Sequence, residues 1–335
     1  LREHATTQLG VRHLEHTVTG VKLDKSGNVE SLQTEDGAVI SGDFFVDCSG
    51  FRGAIIQEAL KEPFLPFADN LFNNAAVAMP SPNDEGDIRS ETRATALSTG
   101  WAWRIPLTNR VGNGYVYSSR YIDKDAAETE LRTHLGMLDN EVEARHLKMN
   151  VGRVQRSWVK NCLAVGLSQG FIEPLEATAL HIVQATVEGF IRAYANGGET
   201  DDGAADFNQS LNERYDGIRD YIVAHYRMNQ RTDSDYWRDN AQNGNLSDNL
   251  KAIMTAWYSG GDLTEVIQKL NIAQFYSSLS WHCLLSGYGT FPADEKLIAS
   301  TDGLPLADME HIDRYISGCL QNFPSHRAAL ANLSL

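Results

Sequence analysis

Residues 166–184 read Gly-Leu-Ser-Gln-Gly-Phe-Ile-Glu-Pro-Leu-Glu-Ala-Thr-Ala-Leu-His-Ile-Val-Gln. They lie between an apolar run, Cys162 to Val165, that reads as a strand, and a stretch from Leu180 to Ala195 with helical apolar spacing. Gly166-Leu167-Ser168-Gln169-Gly170 matches GxSxG, the turn that carries the nucleophile of α/β-hydrolases. That elbow requires a helix directly after the serine. Here Phe171-Ile172-Glu173-Pro174 follows instead, and the residue before a proline is pushed out of the helical region. No downstream histidine (His181, His225, His282) has a context that marks it as a triad partner. Pro174 suits the first position of a helix, which places Glu173 near the N-cap and Glu176 in the first turn. Two readings of the acidic pair stand side by side. It stabilises the helix dipole by about 0.3–1 kcal/mol per charge, or a buried carboxylate positions a polar reactant while the N–H groups of Thr178 and Ala179 meet an anion.

Toward the N-terminus, Val18 to Leu23, Val29 to Thr34 and Val39-Ile40 are β-branched runs separated by Ser26-Gly27-Asn28 and Asp36-Gly37. They predict a β-meander with glycine in its turns. Phe44 to Cys48 is apolar without alternation, as expected of a strand covered on both faces. Ser49-Gly50-Phe51-Arg52-Gly53 then leads into a predicted helix from Ala54 to Leu60. A glycine-rich turn at a helix N-terminus offers free N–H groups to a phosphate, or is simply a tight turn.

Further along, Ala75 to Met79, Arg93 to Ser98, Trp101 to Ile105 and Gly114 to Ser118 predict strands, Asp123 to Leu138 a helix, and Val154 to Trp158 a strand. Trp101 and Trp103 fall on one face of their strand, either as core or as the wall of a water-excluding cavity. After Pro174 the pattern turns helical: Phe207 to Met228, Leu246 to Tyr258 and Leu263 to Leu270 carry the period. The expected division is a β-rich part over residues 1–175 and a mostly helical part over 176–335.

The chain has 335 residues with 29 Lys and Arg against 44 Asp and Glu, a net charge of −15 that disfavours nucleic acid as a partner. No apolar run approaches the roughly 20 residues that cross a bilayer. Cys48, Cys162, Cys283 and Cys319 are scattered, as in a cytoplasmic protein with reduced thiols. His13 and His16 lack a third ligand nearby, so no metal site is expected. The first residues, from Leu1, have neither methionine nor leader and read as the interior of a longer polypeptide.

Four segments together resemble the flavin-dependent tryptophan halogenase family. They are Val46-Asp47-Cys48-Ser49-Gly50-Phe51-Arg52-Gly53, the WxWxIP motif within Gly100 to Leu107, Gly112 to Ser118, and Gly166 to Gln184. The resemblance runs from about Asp43 to Ser286, and WxWxIP is what separates these halogenases from related flavin monooxygenases. It implies an α+β or α/β, flavin monooxygenase-like (FAD/NAD(P)-binding) fold, truncated at its N-terminus, with a mostly helical substrate part. It also turns the GxSxG match into a turn beside the flavin. The implied cofactors are reduced FAD and a halide, chloride or bromide. The implied partners are a flavin reductase and a small aromatic, indole-like substrate, with a homodimer as one assembly the family allows.

By the same resemblance, hypohalous acid formed at the flavin travels through a tunnel to the substrate, where a lysine and a glutamate assist. Glu176 matches that glutamate. Thr178 and Ala179 match the positions whose amides meet the halide. Asp47, Gly50, Gly166, Gly170 and Phe171 fall at the cofactor, and Trp101, Trp103, Phe275 and Tyr276 at the tunnel or substrate. Three departures stand out: GxGxxG is missing, the catalytic lysine has no counterpart, and Ala occupies 177 and 179 where members carry Ser or Gly. The alternatives are an aromatic-ring flavin monooxygenase and a non-catalytic remnant of such an enzyme.

Overall fold

The computed structural model describes all residues except 85, 87, 198–200, 297–308, 334 and 335. Helix α1 (Arg2–Gln8) precedes strands β1 (Val18–Leu23), β2 (Val29–Thr34), β3 (Val39–Ser41), β4 (Phe45–Asp47) and β5 (Phe64–Pro66). Strands β6 (Ala75–Ser81), β7 (Arg93–Leu97), β8 (Gly100–Pro106) and β9 (Val111–Tyr117) lead to helix α2 (Lys124–Leu135). Then come β10 (Arg145–Lys148), β11 (Gly152–Val154), β12 (Trp158–Val159), β13 (Cys162–Ala164) and β14 (Gly170–Phe171). The helices that follow are α3 (Ala179–Gly197), α4 (Asp201–Arg227), α5 (Asp235–Gln242), α6 (Asp248–Ser259), α7 (Leu263–Lys269), α8 (Ser278–Gly287), α9 (Met309–Asn322) and α10 (His326–Ala331).

The chain divides into two compact units, and neither is contiguous: Leu1–Pro66 with Gly152–Tyr215, and Phe67–Val151 with Asp216–Leu335. This differs from the expected break after residue 175. Strand pairing is the reason, because β5 pairs with β11 (Pro66 opposite Gly152, Phe64 opposite Val154), so the chain leaves the first unit at Pro66 and rejoins it at Gly152.

In the first unit, β1, β2 and β3 form the expected antiparallel meander, with Gly27 and Gly37 at φ +81° and +83° in its turns. Strand β4 does not join it. It runs parallel to β13, at the edge of a three-stranded sheet completed by β12. The expectation of a strand covered on both faces fails here. Phe45 and Asp47 point inward, but Val46 alternates to the open side and is 53% exposed. Asn161 ties meander to sheet: its side chain accepts from Val29 N (2.8 Å) and donates to Val29 O and Asp43 O. Residues 154–158 form no single strand, since β11 ends at Val154 and β12 begins at Trp158.

The second unit is built on a five-stranded antiparallel sheet in the order β10-β6-β9-β8-β7. Helix α2 covers one face through Ala127 and Leu131, against Val77, Met79, Ala102, Tyr115 and Tyr117. Asp123 caps its N-terminus by accepting from Asp125 N and Ala126 N, and Gly136 in the left-handed region stops it three residues short of the Leu138 expected from sequence. Helices α5 to α8 each begin at a capping side chain, respectively Ser234, Ser247, Asp262 and Ser277.

Since Ala102 faces α2, Trp101 and Trp103 share the opposite face of β8, as the period of two required. Their rings are 6.2 Å apart and inclined at 59°. Trp103 pairs with Gly114 on β9 and lies directly over it: a Cβ there would come within 2.0 Å of the indole. Gly114→Ala should therefore expel Trp103 and cost about 1–3 kcal/mol, the range for overpacking. Trp103→Phe in the same chain, by removing the clashing ring carbons, should recover much of that loss. Thermal melts of the two single variants and the double variant measure the coupling, and strictly additive losses would show that the ring is not seated on Gly114.

Candidate functional site

The first unit is organised around one carboxylate. Asp47 is buried at the end of β4; its Oδ1 accepts from Ser49 N (2.9 Å) and Ser49 Oγ (2.6 Å). Its Oδ2 accepts from Ile55 N (2.9 Å) and Ile56 N (2.8 Å), while Ala54 N donates to Ser49 Oγ. This corrects the view of the 49–53 turn as a phosphate cradle. The N–H groups opening the helical segment Ala54–Ala59 are already taken by side chains of the same turn. Asp47 is thus an interior capping group. Gly50, at φ +76°, faces open space.

The Asp47 carbonyl accepts from Val165 N and from Ser168 Oγ, which joins this turn to the second one. Ser168 is fully buried and its hydroxyl also donates to Val165 O at 3.0 Å, so it is no hydrolytic nucleophile. Gln169 is equally buried, bonded to Thr186 on α3 (3.2 Å) and accepting from Tyr215 on α4 (3.1 Å). Burial raises the Tyr215 hydroxyl pKa, which keeps it a neutral donor.

Against this turn lies an apolar cavity of about 190 Å³, whose walls include Gly166, Gly170, Phe171, Ala179, Val183 and Tyr215. Four residues singled out from the sequence, Gly166, Gly170, Phe171 and Ala179, thus converge. The ring of Phe171 meets that of Phe51 edge-on at 5.6 Å, which brings the two turns together. A Cβ on Gly166 would meet nothing closer than 3.9 Å, whereas one on Gly170 would strike Gly152 O at 2.7 Å. Gly170 is required for strand contact. Tyr215, Ile182 and Val183 escaped the sequence reading; helical spacing marks the α3 pair, but nothing local marks a tyrosine arriving from α4.

The segment 173–179 departs from expectation. Pro174–Glu176 is a single helical turn, and Ala177, at φ +53°, breaks it before α3 begins at Ala179. The fully buried carboxylate is Glu173, while Glu176 is exposed. Thr178 is 8% exposed, and its hydroxyl oxygen has no hydrogen-bond partner among the described residues. It sits beside Ala179 at the start of α3, where helix N–H groups are unsatisfied by geometry.

In the second unit, Trp101 is buried with an indole N–H that has no partner among the described residues. Phe275 and Tyr276 are half-buried and serve α4: Phe275 lies on Gly217, and Tyr276 stacks on Tyr221 with centroids 3.6 Å apart. One face of Tyr276 is therefore unavailable for stacking on a ligand. No cluster of three metal-ligating side chains occurs among the described residues, and no helix there is long and apolar enough to cross a membrane. The four cysteines are free thiols.

This mixed α/β architecture is that of the flavin-dependent halogenases. It superposes on Tar14, a tryptophan C-6 flavin-dependent halogenase (chlorinase) from taromycin biosynthesis, with a TM-score of 0.90 at 36% identity, covering 98% of this chain and 66% of that one. It matches BrvH, a flavin-dependent halogenase from Brevundimonas sp. BAL3, with a TM-score of 0.88 at 32% identity, over 100% and 67% of the two chains. The tryptophan halogenase family model matches residues 1–302, and the chain belongs to that family. The 7-chloro-L-tryptophan 6-halogenase KtzR of Kutzneria sp. (strain 744) is 36% identical over 97% of this chain and 63% of its own length. The tryptophan 7-halogenase RebH of Lentzea aerocolonigenes is 36% identical over 87% of this chain and 57% of its own. The chain thus spans less than two thirds of the length of these relatives.

Asp47→Asn tests the hub. An amide offers one acceptor where four donors converge, leaving buried N–H groups unmet at a cost of about 2–4 kcal/mol. The thermal midpoint should fall accordingly, and an unchanged midpoint would remove Asp47 from its organising role.

Proposed function

We propose that this chain carries the flavin-ring and halide subsites of a halogenase that uses reduced FAD, O₂ and chloride or bromide to halogenate an electron-rich, indole-like aromatic. The observation that carries the reading is the apolar cavity over Gly166 and Phe171, meeting the N-terminus of α3 beside the unpartnered Thr178 hydroxyl. A flat ring fits such walls, and a buried hydroxyl with adjacent helix N–H groups fits an anion.

When bound, reduced FAD supplies the electrons that activate O₂ for halide oxidation. The chain's own contributions are positional. Gly166, Gly170 and Phe171 border the ring, the hub at Asp47 fixes the turns that present them, and Thr178 with Ala179 holds the halide. Trp101 and Trp103 exclude water and oversized aromatics from the reactive halogen. Glu176 is the positioned acid–base group at the substrate, and a flavin reductase supplies the reduced cofactor.

Titrating the protein with FAD and following flavin fluorescence tests the cofactor assignment. Saturable quenching is expected, and its absence favours a remnant. With reduced FAD, O₂ and bromide, the product from indole should carry bromine. A hydroxylated product alone would establish the monooxygenase reading instead. Glu176→Gln should lower kcat by about 10²-fold, the scale of a positioned acid–base group, with FAD affinity nearly unchanged; near-wild-type halogenation would end that assignment.

The substrate is proposed to be indole or a simple derivative. Free tryptophan brings an ammonium that needs a carboxylate partner in a closed site, and the residue four before Phe275 is the neutral Asn271. Asp262 is engaged in capping Glu265 N. Comparing kcat/KM for the two substrates decides it: a preference for tryptophan would overturn the proposal.

A further inference from the structure

Helix α3 presents two different faces to two different cavities. Ala179, Ile182 and Val183 line the apolar pocket described above. The face made by His181, Gln184, Glu188 and Arg192 lines a polar groove of about 220 Å³ instead, closed on its other side by Ser210 and Arg214 of α4. At Gly189 the α3 backbone lies close to Phe207 of α4: a Cβ there would sit 3.4 Å from the ring.

The charge in this groove is unusual for a chain with a net charge of −15. Arg214 Nη1 donates to His181 Nε2 at 3.1 Å. That contact orients the guanidinium at the mouth of the groove. Arg192 adds a second guanidinium close enough that its charge, together with burial, acts against the charged form of Arg214. The carboxylate of Glu188, on the same wall, is held by Gln184 Nε2 at 2.9 Å. Two planar forks of donors and a hydroxyl therefore face a cavity sized for a small oxyanion, and an anion between the forks would turn their mutual repulsion into attraction.

We propose that the groove between α3 and the first half of α4 binds a phosphate-class oxyanion, at a site separate from the apolar pocket on the other side of α3. Both guanidiniums hold the anion, Ser210 donates to it, and Glu188 limits the net charge so that a dianion is preferred over larger polyanions. This assignment is independent of the flavin and halide subsites.

Calorimetric titration with inorganic phosphate at constant ionic strength tests it, using the wild type, Arg192→Gln, Arg214→Gln and, as a charge control elsewhere, Arg110→Gln. Saturable binding is expected, weakened about tenfold or more by either groove substitution, as for loss of a charge-assisted contact, and unaffected by Arg110→Gln. Arg192 is exposed, so its variant keeps the test valid if Arg214→Gln fails to fold. FAD titration should be the same in wild type and Arg192→Gln. Phenyl phosphate separates two sources of the anion: tighter binding than phosphate indicates an organic phosphate, equal binding the free ion. No saturable binding, retention of full affinity in Arg192→Gln, or an equal loss in Arg110→Gln would overturn the proposal.

Discussion

A buried carboxylate is expensive unless donors surround it, and the first unit meets that demand at Asp47 with four donors from residues 49–56. The requirement shapes everything around it. Strand β4 must end where the carboxylate can reach the next helical segment. That segment must start with its N–H groups aimed inward. Because the Asp47 carbonyl also accepts from Val165 N and the Ser168 hydroxyl, the turn after β13 is held by the same residue. Two glycine-rich turns, more than a hundred residues apart in sequence, are thereby set as one rigid edge beside the apolar cavity.

The second constraint is the left-handed Ala177. A β-carbon in this region costs roughly 1–2 kcal/mol, and the chain accepts it between the turn Pro174–Glu176 and the start of α3. Upstream of the break lie two carboxylates with different surroundings, Glu173 inside and Glu176 exposed. The first turn of α3 then starts from Thr178, whose carbonyl accepts from Ile182 N. Strain at a non-glycine residue is sustained when its surroundings determine it. Here the buried Glu173 on one side and the buried Ile182 and Thr186 of α3 on the other do so.

In the second unit, the antiparallel sheet assigns roles by parity. Ala102 belongs to the core beneath α2, so Trp101 and Trp103 belong to the other face. Gly114 exists to leave room for an indole. The aromatic residues near 275, by contrast, are spent largely on α4: Tyr276 on Tyr221 and Phe275 on Gly217.

Local signals in the sequence determined the meander, strands β6 to β9 of the five-stranded sheet, the shared face of the two tryptophans and helices α3, α4, α6 and α7. Each of these follows from a period, a turn glycine or a cap that acts over a few residues. The four motifs were also sufficient to identify the family. Tertiary structure alone decided the rest. The pairing of β5 with β11 made both units discontinuous, because strand partners are chosen across 86 residues by fit and not by proximity. The edge position of β4 exposed Val46 despite an unbroken apolar run. That Asp47 caps the turn after β4 is visible only in the folded chain, which shows which donors reach its oxygens. Glu173 is buried and Glu176 exposed, and Ala177 takes a left-handed φ after them; no pattern of polar and apolar residues encodes either outcome.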